Sequence, residues 1–171
     1  DRARRHCILG IVAALDALAR ALGIAWSSSG ALYGTVFFAG LAQRLGWIAL
    51  PHSLEVLASP WVIGVSGAMT AVEVLASFVP GVATAWEAVH TAVRPPASVA
   101  LAVLAAWGSD PALVVIAGLL GGGLGAATHL TKLKLRAAVD ASPEPFSNGA
   151  ATAAELGSVA FLAWATWTHP W

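Results

Sequence analysis

Glu87 and His90 stand three residues apart in WEAVH, a spacing that sets a carboxylate and an imidazole on one face of a helix. Two chemistries use such a pair: metal ligation and proton handling. Four-helix di-iron proteins need the pair twice together with two further glutamates, and here it occurs once. Glu73, His129 and Glu155 would complete a metal site only by a convergence that spacing does not reveal, so no metal is assigned. A helix-surface hydrogen bond or a pathway-lining role is the expected one, and His90 could carry a proton near neutral pH.

Glu73 lies in the middle of GAMTAVEVLAS with no basic residue within one turn. A charge at the centre of an apolar span costs roughly 3 kcal/mol. Glu73 therefore needs a partner from another helix, or a proton. Arg94 could supply that pairing or bind an anion. Glu144, Asn148 and Glu155 complete the candidate polar site. Asp16 and Arg20, four apart, are expected to pair with each other. His129 closes GLLGGGLGAATH, a setting that suits either an axial haem or pigment ligand or a bond to a neighbouring helix. No cofactor follows from the sequence. The serines of SSSG and SPEPFSN lack the G-x-S-x-G context of a nucleophile elbow, and no nucleophile, base and oxyanion set is visible. Enzyme chemistry has no support.

The elements that must position these residues are apolar throughout. Hydrophobic residues make up 58% of the chain and charged residues 11%, against about 25% charged in a soluble domain. Nine basic residues balance nine acidic ones, which argues against a nucleic-acid partner, since that calls for a basic face or stripe. Cys7 is the sole cysteine, so there is no internal disulfide and no cysteine zinc cluster. The opening DRARRHCILG resembles the first two regions of a signal peptide, but the apolar run continues to Trp26 and reads as a retained first span.

Residues 8–26, 31–50, 60–79, 111–131 and 149–168 meet the length of about 20 residues that crosses a bilayer. A sixth segment, 95–108, is shorter and starts at Pro95-Pro96. Ser27-Ser28-Ser29-Gly30, Pro51, Ser59-Pro60, Pro80-Gly81, Gly108-Ser109-Asp110-Pro111 and SPEPFSNG mark the breaks. Trp26, Trp47, Trp61, Trp107, Trp164 and Trp167 fall near segment ends, where indoles anchor in headgroups. With six spans the basic residues tie: Arg2, Arg4, Arg5 and Arg44 on one side, Arg94, Lys132, Lys134 and Arg136 on the other. Gly118 with Gly122, and Gly121 with Gly125, form overlapping G-x-x-x-G pairs for close helix contact. The expectation is one all-α domain over 1–171, a polytopic membrane helix bundle of about six spans. An irregular or re-entrant segment is expected near residues 80–94.

GLAQRLGWIALP (40–51), AVEVLASFVPGV (71–82), VHTAVRP (89–95), THLTKLKLRAA (128–138), SPEPFSN (142–148) and a closing THP (168–170) follow one another in this order. That succession resembles the domain-of-unknown-function 4126 family of small bacterial and plastid membrane proteins. The resemblance implies an all-helical membrane fold, with the bacterial inner membrane as its setting, and no established activity. The chain departs from the family pattern at Ala31-Leu32, Ser77, Ala83 and Leu156, where relatives often carry charge.

Two functions follow. The first is a small transporter or channel with a solvated polar site on interrupted helices. The alternative is a non-catalytic structural subunit of a respiratory or photosynthetic membrane complex, suggested by the small-residue faces, the tryptophans and the missing charges. The expected partners are the lipid bilayer and other membrane subunits or further copies of the chain.

Overall fold

The computed structural model describes residues 2–79, 81–141 and 145–168, and among these there is no strand. Seven α-helices follow in order: α1 (Arg2–Gly30), α2 (Leu32–Arg44), α3 (Pro60–Ser77), α4 (Val82–His90), α5 (Arg94–Ala105), α6 (Pro111–Asp140) and α7 (Pro145–Thr168). A 3-10 segment, His52–Ala58, links α2 to α3.

The serine run is helix, not linker. Ser28 and Ser29 donate to the Ala25 carbonyl at 3.1 and 2.8 Å, which lets buried hydroxyls sit inside a continuous helix. The break comes one residue later, at Ala31 (φ −134°, ψ 89°). α2 then stops at Arg44, and Gly46 turns the chain at φ 72°. The expected span 31–50 is thus a 13-residue helix, about 20 Å long and short of a bilayer core of about 30 Å. Its remainder folds back: the Leu50 N–H donates to Gln43 Oε1 at 2.7 Å. Leu54 and Leu57 of the 3-10 segment then seal the core beneath α2.

α3 opens on Pro60 in its first turn, where a missing N–H costs nothing. Gly81 at φ 84° starts α4 in a left-handed conformation that a side chain would strain. α4 and α5 are bent by 51° across residues 91–93, and Arg94-Pro95-Pro96 begins the second piece. This is the irregular segment expected near 80–94. Asp110 caps α6 by accepting from the Ala112 N–H at 2.8 Å.

Three helices, α1, α3 and α6, are long and apolar enough to cross a membrane, or four spans if the bent α4–α5 pair counts as one. Among the described residues, three to four spans stand against the expected six. α2 lacks length, and α7 intersperses Thr152, Glu155, Ser158, Thr166 and Thr168 among its apolar residues. The surface is apolar: Leu119, Leu75, Val65, Leu135 and Phe161 are all more than three-fifths exposed, an arrangement compatible with a membrane protein.

α1, α5 and α6 pack on small residues, with Ala21, Ala25, Ala102, Ala105, Ala106 and Ala117 in the core. A Cβ placed on Gly121 would stand 2.5 Å from Ala102 Cβ and 3.3 Å from Ala25 Cβ. Gly118 and Gly122 face Val103 and Val99, while Gly125 faces Ser98 and Ser29. The G-x-x-x-G pairs mark this contact, where backbones approach because no side chain intervenes.

Candidate functional site

The buried positions of α6 recur at helical spacing: Gly118, Gly121, Gly125, His129, Lys132, Arg136. The same face that is glycine at one end is cationic at the other. On α3 the buried positions are Ser66, Thr70, Glu73 and Ser77. On α4 and α5 they run Ala83, Glu87, His90, Arg94, Ser98, keeping phase across the bend. Polar stripes from three directions therefore meet inside an apolar shell.

Where they meet, six ionisable side chains from five helices converge. Arg94, fully buried, donates from Nη2 to Glu73 Oε1 at 2.6 Å and from Nη1 to Glu87 Oε2 at 2.5 Å. Lys132 Nζ lies 3.2 Å from Glu73 Oε1, 3.0 Å from Glu87 Oε1 and 2.7 Å from Glu155 Oε1. It also donates to the Gly30 carbonyl at 2.6 Å, at the break after α1, where the helix leaves carbonyls without intrahelical partners. An ammonium has three N–H bonds, so these four acceptors exceed what Lys132 can satisfy at once.

Arg136 donates from Nη2 to Thr152 Oγ1, and among the described residues its nearest carboxylate oxygen is Glu155 Oε2, 3.8 Å away. Glu73, Glu87 and Glu155 balance Arg94, Lys132 and Arg136, three against three, when all are ionised. The cluster divides in two. Arg94, Lys132, Glu73 and Glu87 form an inner quartet, whereas Arg136 and Glu155 form an outer pair that is loose between its members at 3.8 Å and tied to the quartet by the 2.7 Å contact of Lys132 with Glu155.

Two histidines edge the cluster. His90 donates from Nδ1 to the Trp86 carbonyl at 2.7 Å, which leaves Nε2 to accept from the Tyr33 hydroxyl at 3.1 Å. Trp86 stacks on its ring, centroids 4.4 Å apart. The Thr91 hydroxyl donates to the Glu87 carbonyl at 3.1 Å and lies 2.9 Å from His129 Nε2. The buried His129 thus bridges α6 to the residue after α4. Glu73 Oε2, Trp86 Nε1, Arg94 Nε, His129 Nδ1 and Arg136 Nη1 are buried without a hydrogen-bond partner among the described residues.

Beside the outer pair lies a cavity of about 520 Å³ between α6 and α7, with the end of α1 as its third wall. Lys132, Arg136 and Glu155 form its polar side. Thr128, Thr131 and Ser158 add hydroxyls, and Trp26, Leu135, Val139, Ala151, Ala154 and Val159 supply apolar wall. A second space of about 10 Å³ touches Glu73, Trp86, Glu87 and Arg136, about the size of one water molecule.

The structure brings Glu73, Glu87, Arg94 and Glu155 together, with His90 adjoining. Glu144 lies outside the described residues, as does the side chain of Asn148. Sequence reasoning missed Lys132 and Arg136. It ended the fifth apolar segment at residue 131 and counted both, with Arg94, as loop charges in the orientation tie. Burial removes all three from that count. The signal that could have found them is the unbroken three- and four-residue spacing from Gly118 to Arg136. Trp26 and Trp167 are not headgroup anchors either: Trp26 lines the cavity, and Trp167 is buried with the Arg20 guanidinium 5.3 Å above its ring. Arg20 pairs with Asp16 at 2.9 Å, as the spacing predicts.

Residues 18–171 match the model of the family described as Domain of unknown function (DUF4126). The chain belongs to the DUF4126 family. No curated protein and no solved structure matches it. In this DUF4126 chain the stretches that carry the family resemblance also carry four of the six cluster residues. AVEVLASFVPGV holds Glu73, VHTAVRP holds Arg94, and THLTKLKLRAA holds both Lys132 and Arg136.

Proposed function

We propose that this chain is a small multi-pass membrane transporter. Its substrate chamber is the cavity between α6 and α7, and its coupling element is the ionic cluster. One observation carries this reading. Six balanced charges, five buried and Glu155 partly exposed, meet among apolar helices, and three of them line a cavity wide enough for a small solute. Buried ion pairs add little stability over apolar packing of the same volume, so six of them call for a purpose. Ionisable groups inside membrane helices mark ion and substrate pathways. The break between α4 and α5 places Glu87 and Arg94 where transporters interrupt a helix to expose backbone and charge.

The test is flux in proteoliposomes made with the purified chain. Solute-dependent uptake or counterflow is expected, with Glu155→Gln and Glu73→Gln each altering it. Vesicles that move no ion or small solute, with both variants matching the parent, would overturn the proposal.

A role as a non-catalytic membrane subunit is favoured by one separate feature. The described side chains of residues 4–13 of α1 are all exposed, projecting beyond the bundle. Gentle-detergent isolation would then recover stoichiometric partner chains. A monodisperse lone species would set this second reading aside.

A further inference from the structure

We propose that the cavity binds an organic monoanion with an apolar body, and that each anion enters together with one proton, which Glu155 holds. The proposal rests on the transporter reading for its setting and goes beyond it in naming the substrate class and the stoichiometry.

Charge balance drives the argument. The inner quartet, Arg94 and Lys132 against Glu73 and Glu87, is neutral by itself. Lys132 keeps three acceptors, Glu73, Glu87 and the Gly30 carbonyl, without Glu155. Four acceptors exceed its three N–H bonds, so one must yield, and Glu155, although the nearest carboxylate at 2.7 Å, is the one that also lines the cavity. Glu155 is also the most exposed acid of the cluster, its side chain 20% accessible against 3% and 6% for Glu87 and Glu73.

Among the described residues Arg136 holds no carboxylate closely. Glu155 stands 3.8 Å away, and Arg136 Nη1 finds no partner among the described residues although the residue is buried. When Glu155 takes a proton from water, the site gains one positive charge, centred on Arg136 and Lys132 at the cavity wall. In a low dielectric that charge demands an anion. A carboxylate from the cavity supplies it, accepting from the guanidinium, and the site returns to neutrality. No covalent bond changes apart from the proton carried by a Glu155 carboxylate oxygen.

The groups that face Glu155 set the balance. They are Lys132, Arg136 and His129 on α6, Glu73 on α3, Glu87 and His90 on α4, Arg94 on α5 and Tyr33 on α2. α1 contributes the Gly30 carbonyl here, while its Asp16–Arg20 pair sits apart beside Trp167. The other walls admit an apolar body: Trp26, Leu135, Val139, Ala151, Ala154 and Val159. The cavity volume falls in the range that encloses small organic ligands.

The experiment is calorimetric titration of the detergent-purified full chain with octanoate, with benzoate, with neutral octanol and with phosphatidylglycerol micelles. Each titration is repeated in two buffers of different ionisation enthalpy. Expected are binding of both carboxylates, uptake of about one proton per anion, and affinity that falls as pH rises, by about tenfold per pH unit wherever a full proton is taken up. Glu155→Gln should bind the carboxylates with no proton uptake and no pH dependence. Arg136→Gln should lose at least about tenfold in affinity and Arg136→Lys should recover part of it.

A folded parent that binds neither carboxylate, binds them without a proton, or binds octanol as tightly overturns the proposal. Binding of phosphatidylglycerol alone does the same, since it assigns the cavity to lipid. Proton-linked anion binding in a chain that moves nothing across vesicles would sustain this site and sink the transporter reading. Flux of another solute without anion binding would do the reverse.

Discussion

At the residue scale, Arg94 decides how much of the interior holds together. It is fully buried and donates to two carboxylates that have, apart from it, only Lys132 as a cation within 4 Å among the described residues. Arg94→Met removes the guanidinium and leaves two buried acids sharing one ammonium. Breaking a buried pair in this way costs about 3–5 kcal/mol, so the variant is expected to melt far below the parent in detergent. Asp16→Asn removes a pair whose side chains are 28–30% accessible, worth about 0–1 kcal/mol. Equal melting shifts for the two variants would show that Arg94 carries no special load. Part of this was legible in the sequence. Glu73 has no base within a turn of its own helix, so a partner from elsewhere was required, and Arg94 was named for it. Lys132 was not legible by hydropathy, because two lysines and an arginine in THLTKLKLRAA read as the end of a span. Only the phase of the helix shows that Lys132 and Arg136 point inward while Lys134 is exposed.

At the element scale, α6 is held by what its glycines lack. Gly121 sits where any Cβ would press on Ala102 and Ala25, while nothing stands within 4 Å of a Cβ on Gly123, two residues along the same helix. The two positions have the same helical backbone and opposite surroundings. Gly121→Ala is therefore expected to destabilise by about 1–3 kcal/mol through overpacking. Gly123→Ala should stabilise by about 0.5–1 kcal/mol, because alanine gives up less backbone freedom on folding. Thermal melting of both variants checks the pair, and a loss at Gly123 equal to that at Gly121 would mean that α6 does not lie against α1 and α5 in this way. The glycine spacing announced a tight contact, and that was readable from the chain. The identity of the opposing helices was not, because α1 is distant in sequence and the contact residues on α1 and α5 are alanine, serine and valine, which carry no distinctive pattern. The serine run 27–29 misled for a related reason. Serine favours turns through the same side-chain bonds to backbone that, in Ser28 and Ser29, keep a helix intact.

At the scale of the whole molecule, the threading of the chain turns on the α4–α5 pair. A re-entrant loop must reverse direction, yet the two helices bend by only 51°. A chain that keeps most of its heading continues across. α4 and α5 together run from Val82 to Ala105. At 1.5 Å per residue, and allowing for the bend, they advance about 30 Å, the thickness of a hydrocarbon core. The cost of threading Glu87, His90 and Arg94 through that core is met by the partners they find on α3, α6 and α2. The pair is thus expected to be one broken span, placing Gly81 and Gly108 on opposite faces of the membrane. Both glycines adopt positive φ in turns, 84° and 93°, with nothing within 4 Å of a Cβ. A cysteine at either is therefore strained but unobstructed. Since Cys7 is the sole native cysteine, Gly81→Cys and Gly108→Cys can each be read in a Cys7→Ser background. A membrane-impermeant maleimide added to sealed, oriented vesicles should label one of the two, and permeabilised vesicles both. Labelling of both from the same side would make α4–α5 a hairpin that dips and returns, and the molecule would then cross three times, not four.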